Sequence, residues 1–134
     1  MSKTKTNKVW GERMKSKPSK LLTEINASID VDKELYQQDI NGSIAHCKML
    51  AKQKIIKPDI SSKIVKGLEK IRKEIQSNKF KFSKSNEDIH LNIEKRLFEI
   101  IGPEAGFLHI ARSRNDQVTT DFKLWVIDAS KNLN

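Results

Sequence analysis

The chain has 134 residues, 37% of them apolar and 32% charged, which fits one modest soluble domain with or without the start of a second. No apolar run approaches the ~20 residues that span a bilayer. The first twenty residues lack the apolar stretch of a secretory signal, and Cys47 alone cannot form an intramolecular disulfide. A reducing, cytoplasmic setting is the simplest expectation. Net charge is +9, but residues 1–20 carry Lys3, Lys5, Lys8, Arg13, Lys15, Lys17 and Lys20 against Glu12 alone. The basicity belongs mostly to a tail. Nucleic-acid binding needs clustered charge on an ordered face, so this pattern disfavours it.

Residues 1–17 are rich in Lys, Ser and Thr and read as an extended tail, with Trp10 as a candidate anchor on the body. From Leu21 the pattern turns helical. Tyr36, Ile40, Ile44, Cys47 and Ala51 recur at spacings of four, four, three and four, which places them on one helix face. Asp30 or Asp32 can cap the start. Gly42 interrupts this helix at a cost of roughly 1 kcal/mol against Ala, for close packing, for ligand approach, or merely tolerated.

The segment "KPDISSKIVKGLEKIRKEIQSN" repeats the spacing with Ile60, Ile64, Leu68, Ile71 and Ile75. Pro58 suits its first helical position, where the missing N–H is not needed. Next, "SNEDIHLNIEKRLFEIIGP" aligns Ile89, Ile93, Leu97 and Ile100 or Ile101. Ser85 and Asp88 resemble a capping box, and Gly102-Pro103 stops the helix. A loop is expected to follow. A last helix opens near Asn115, with Val118, Phe122, Trp125 and Ala129 as its apolar face. The predicted class is all-α.

Three polar segments fall at helix ends: "NASIDVD" with Ser28, "EDIH" with Asp88 and His90, and "HIARSRNDQ" with Arg112, Arg114 and Asn115. Helix N-termini favour anions, and arginines grip carboxylates with two parallel bonds. Together they suit a dicarboxylic substrate. The residues alone leave blander readings open: Ser28 and Asp88 as caps, His90 as a surface histidine, Arg112 and Arg114 as surface charges pairing with Asp116 or Glu104. His46, His90 and His109 have no metal-ligand spacing. No metal or cofactor is expected.

Taken in order, "NASIDVDKELYQQDINGSIAHCKML", "EDIHLNIEKRL" and "GFLHIARSRNDQVTTDFKLW" closely resemble the N-terminal part of the argininosuccinate lyases, members of the fumarase/aspartase superfamily. The resemblance covers about residues 9–130, and "ARSRNDQV" is its most specific element. It implies β-elimination of argininosuccinate to arginine and fumarate, in arginine biosynthesis, by a homotetramer. It also implies that Ser28 and Asn115 bind substrate and that Arg112, Arg114, Asp88 and His90 shape the same cleft. The acid and the base are expected beyond residue 134, so the chain alone is expected to be inactive. Departures are Glu12 and Met14, where the family has Gly and Phe, and Ile110, where it has Thr or another small residue.

The implied organisation is a basic tail over 1–17, an N-terminal helical lyase domain over 18–111, and the truncated start of the central helical bundle over 112–134. A truncated product, an incomplete record and one piece of a split enzyme all fit. The alternative function is a non-catalytic helical interaction module derived from such a lyase.

Overall fold

The computed structural model describes residues 20–133. The expected tail, the Trp10 anchor and the departures at Glu12 and Met14 lie outside the described residues. Those described form helices, with no strand among them: α1 (Lys20–Asn26), α2 (Ile29–Asp32), α3 (Tyr36–Lys52), α4 (Pro58–Gln76), α5 (Ile89–Ile101) and α6 (Arg114–Lys131). Short 3₁₀ turns at Lys33–Leu35 and Lys84–Asn86 precede α3 and α5. The segment after α5, expected as a loop, is a 3₁₀ helix over Gly102–His109. Gly102 turns the chain there with φ +77°, a conformation only glycine adopts without strain.

The apolar stripes meet as the spacing requires. Ile40, Cys47 and Leu50 of α3, Ile64, Leu68 and Ile71 of α4, and Ile89, Ile93 and Leu97 of α5 are buried in one core. Tyr36, Ile44, Ala51, Ile60, Ile75, Ile100 and Ile101 pack on its margin. Burial at this scale stabilises by about 1.5–3 kcal/mol per large side chain. Arg96 of α5 adds a two-pronged pair to Glu74 of α4, at 2.8 and 2.9 Å.

Gly67, not Gly42, is the point of closest helix approach. A Cβ at Gly67 would stand 2.5 Å from Leu97 Cδ1 and 3.3 Å from Ile101 Cγ2. At Gly42 the nearest atom, Asp121 Oδ1, is 3.4 Å away, an ordinary contact. Gly67→Ala is therefore expected to destabilise despite alanine's better helix propensity. Overpacking costs about 1–3 kcal/mol and the propensity gain returns roughly 1 kcal/mol. A urea unfolding midpoint should fall; a rise would mean that Leu97 yields freely.

The final helix leaves most of its apolar face exposed and buries a polar side instead. Val118, Phe122 and Trp125 are 41%, 56% and 41% exposed, whereas Gln117 and Asp121 are buried at 4% and 0%. Phe122 and Trp125 stack on each other at 6.3 Å between ring centroids, on that exposed side. Helix α6 thus seats on α3 through polar residues. Gln38 of α3, itself buried, donates to Asp128 at 3.0 Å.

Candidate functional site

Two helix starts and the α2 turn converge on one side of the core. Helix α5 begins with free backbone N–H groups. Asp88 accepts from Leu91 N at 2.6 Å, the geometry of an N-cap. Asp32 reaches over from α2 and accepts from Ile89 N at 3.1 Å. The other oxygen of Asp32 accepts from Ser28 Oγ at 2.6 Å. The backbone N–H groups of Ser28 and Ile29 both donate to the Glu87 carbonyl, at 2.9 and 3.0 Å. Ser28 is thus tied to the α5 entrance although its side chain does not cap α2. Glu87 itself takes a positive φ of 59° to make this junction.

At the start of α6, Arg114 grips Glu94 of α5 at 2.8 and 3.1 Å and donates to Gln117 at 2.9 Å. Its Nε lies 3.9 Å from Asp88 Oδ2, so the two helix starts share a charge path. His109 Nε2 stands 2.8 Å from Glu94. Burial works to raise the Glu94 carboxyl, and the bonds and charges of His109 and Arg114 outweigh it, so it is lowered. Arg112 donates to buried Ser43 of α3 at 2.8 Å. Asn115 is exposed on the first turn of α6 and takes no part in this network. Beside it, Gly42, His46, Ala111, Arg112, Asp116, Gln117 and Thr120 line a cleft of about 250 Å³.

Beneath the surface lies a buried polar cluster. Asp39 of α3 accepts from His90 Nδ1 at 2.9 Å and from Gln117 Nε2. His90 Nδ1 is also 3.6 Å from Asp121 Oδ2. All four side chains are 4% exposed or less. Burial opposes ionisation of Asp39, but the bond and charge of His90, the Gln117 amide and Arg112 outweigh it, so its pKa is lowered. Burial likewise opposes a charged His90, and Asp39 outweighs it in turn, so the ring's pKa is raised. For Asp121 the balance is reversed, because burial and Asp39 outweigh the lowering charges of His90 and Arg112. Burial first, then the neighbouring Asp39 charge, push it up to about 7.

Asp39, His90 and Asp121 offer ligand-type atoms within 4.8 Å of one another. The imidazole nitrogen facing them is bonded to the Asp39 carboxylate, so a cation would bind there only by displacing a proton. Asp88 and Asp32 already take amides of the α5 start and Glu94 takes Arg114, while Arg112 bonds to the neutral Ser43 hydroxyl. The arrangement brings two adjacent helix starts and two arginines together above a buried polar cluster.

Several sequence expectations change. His90 is buried rather than on the surface, and its bonds lead to the cleft through Asp39 and Gln117. Arg112 and Arg114 pair with Ser43 and Glu94; Glu104 pairs instead with Lys63 at 2.8 Å. The Ser85–Asp88 capping box does not form, because Ser85 Oγ bonds to Ser83 Oγ at 2.8 Å and Asp88 is itself the cap. Sequence reasoning missed Asp39, Glu94, Gln117 and Asp121, and it gave Asp30 or Asp32 to the start of α3, whereas Asp32 bonds to the start of α5 and Asp30 pairs with Lys84. A signal for Gln117 and Asp121 existed in their spacing of four, one position before Val118 and Phe122.

A family model described as Lyase matches residues 12–134. The argininosuccinate lyase of Pelagibacter ubique (strain HTCC1062) is 58% identical over 135 residues, covering 100% of this chain and 29% of that relative. The argininosuccinate lyase of Bartonella bacilliformis (strain ATCC 35685 / KC583 / Herrer 020/F12,63) is 55% identical over 128 residues, covering 96% of this chain and 28% of the relative. The chain therefore spans well under a third of the length of these relatives. No described helix is long and apolar enough to cross a membrane. With a match that runs from residue 12 through the polar helix starts to α6, the chain belongs to the lyase family.

Proposed function

We propose that this chain supplies the N-terminal portion of an argininosuccinate lyase, which eliminates arginine from argininosuccinate and leaves fumarate. The observation that carries the reading is the 58% identity across the whole chain. The convergence of the α2, α5 and α6 starts supports it. In this reading residues 18–111 are the N-terminal domain and 112–134 open the central bundle.

The reaction removes a proton beside a carboxylate, so negative charge grows on that carboxylate before the guanidino nitrogen leaves. Donors fixed in advance stabilise such charge best, since they need no reorganisation. Asn115 and Ser28 would contact the substrate. Arg112 and Arg114 would set the positive field of the cleft, and Asp88 would hold the entrance of α5. His90 would act on the cleft floor through Asp39. The acid and base come from later segments of the complete enzyme. The exposed apolar side of α6, with Phe122 and Trp125, fits burial against further bundle helices in a homotetramer. The free, buried Cys47 fits a reducing cytoplasm.

The decisive experiment is a chimera. These residues replace the matching first segment of the Pelagibacter relative, and fumarate release from argininosuccinate is followed. The chimera should turn over, while the 134-residue chain alone should not. A folded, tetrameric chimera without activity would overturn the reading.

A further inference from the structure

The Asp121 carboxyl is fully buried at 0% exposure, and neither of its oxygens meets a hydrogen-bond donor. It lies in direct reach of Asp39, a second buried carboxyl whose Oδ1 already takes donors from His90 and Gln117. A buried carboxylate without donors bears a large desolvation penalty, and two adjacent carboxylates cannot both ionise cheaply. The groups facing Asp121 are Asp39 on α3, His90 on α5, and Arg112 just before α6. Arg112 spends an N–H on Ser43, and His90 is closer to Asp39, at 2.9 Å, than to Asp121, at 3.6 Å. Both cations act on Asp121 through their charge, but neither donates a hydrogen bond to it.

We infer that Asp121 is seated as a carboxylic acid sharing its proton with Asp39, and that this proton positions α6, with Arg112 and Asn115, on α3. The O–H of Asp121 donates to an Asp39 oxygen, so the orphaned acid gains a partner. Asp39 remains the single anion between the His90 ring and Arg112. Asp121 is a positioning residue, because it touches no reacting atom. The consequence for substrate rests on the lyase reading; the shared proton does not.

The pH sign follows from the raised acid. The folded chain keeps the Asp121 proton up to about pH 7, whereas the unfolded chain loses it near 3.8. This contribution to stability is fully present below pH 3.8 and is lost as pH rises toward 7, then levels off. Asp121→Asn is uncharged and offers an amide N–H to Asp39, so it lacks this dependence. The wild-type unfolding constant divided by that of Asp121→Asn should rise by up to about tenfold per pH unit across the window.

The test uses the full chain with ¹³C-labelled aspartate carboxyls. One carboxyl resonance should titrate near neutral pH and be missing from Asp121→Asn. Asp carboxyls that all titrate in the ordinary range would overturn the inference, and this wild-type reading stands even if the variant does not fold. A rise in unfolding temperature on adding zinc at pH 7 would also overturn it, by making the cluster a cation site. For the positioning role, the active chimera is assayed. There, Asp121→Leu should raise KM about tenfold, as small misplacements of binding groups do, and Asp121→Asn should restore it. Equal KM in all three would overturn the positioning role, whereas an inactive wild-type chimera would overturn the lyase reading instead.

Discussion

Asp39→Ala is expected to cost about 3 kcal/mol of folding stability at neutral pH, the low end for breaking a buried ion pair. The substitution removes the acceptor for both His90 and Gln117 at once. Asp121, 3.6 Å from the ring, can take over part of the load, which keeps the loss from being larger. The cost should also depend on pH. Burial disfavours the charged ring, but Asp39 holds His90 above its ordinary 6.5. The wild-type advantage from that pairing is fully present below pH 6.5 and shrinks as pH rises through the raised value. Urea unfolding across pH 5.5 to 8.5 reads both effects. A loss under about 1 kcal/mol would be no more than an ordinary hydrogen bond, and would mean that apolar contacts hold α6 in place.

In an active chimera, Asn115→Ala should lower kcat/KM by about ten- to a hundredfold, since losing a hydrogen bond to a charged group costs about 1.5–3 kcal/mol. Its side chain is exposed beside the Arg112 cleft, so folding should not suffer. The unfolding temperature should stay within about 1 °C of wild type, as exposed substitutions generally do. Full kcat/KM with unaltered stability would leave Asn115 as a surface residue of the α6 start and shift substrate contact to the arginines.

The sequence was legible where burial is apolar. The stripes of α3, α4 and α5 are set by isoleucine and leucine recurring at helical spacing, and that spacing is what one-sided burial demands. Pro58 and Asp88 were legible too, because a helix start has few chemical solutions. Gly67 was not. Its meaning depends on Leu97, thirty residues later in the chain, and periodicity carries no information about such a contact. Helix α6 was read by its apolar face of Val118, Phe122 and Trp125 alone, so its buried polar side went unread. Gln117 and Asp121 are buried only because Asp39 and His90 wait for them. For the same reason the polar helix starts were visible as a group, while the cluster beneath them was not.

The Asp32–Ile89 bond has a consequence for how the chain folds. Helix α5 has 13 residues, near the lower limit at which a helix persists in water by itself. One of its first free amides is satisfied locally by Asp88, but another waits for a carboxylate 57 residues earlier. Closing a loop of that length costs entropy before the bond returns anything. The α5 entrance is therefore expected to complete late, after α3 and α4 have carried the α2 turn into place. Substitutions at Asp32 should accordingly speed unfolding more than they slow refolding.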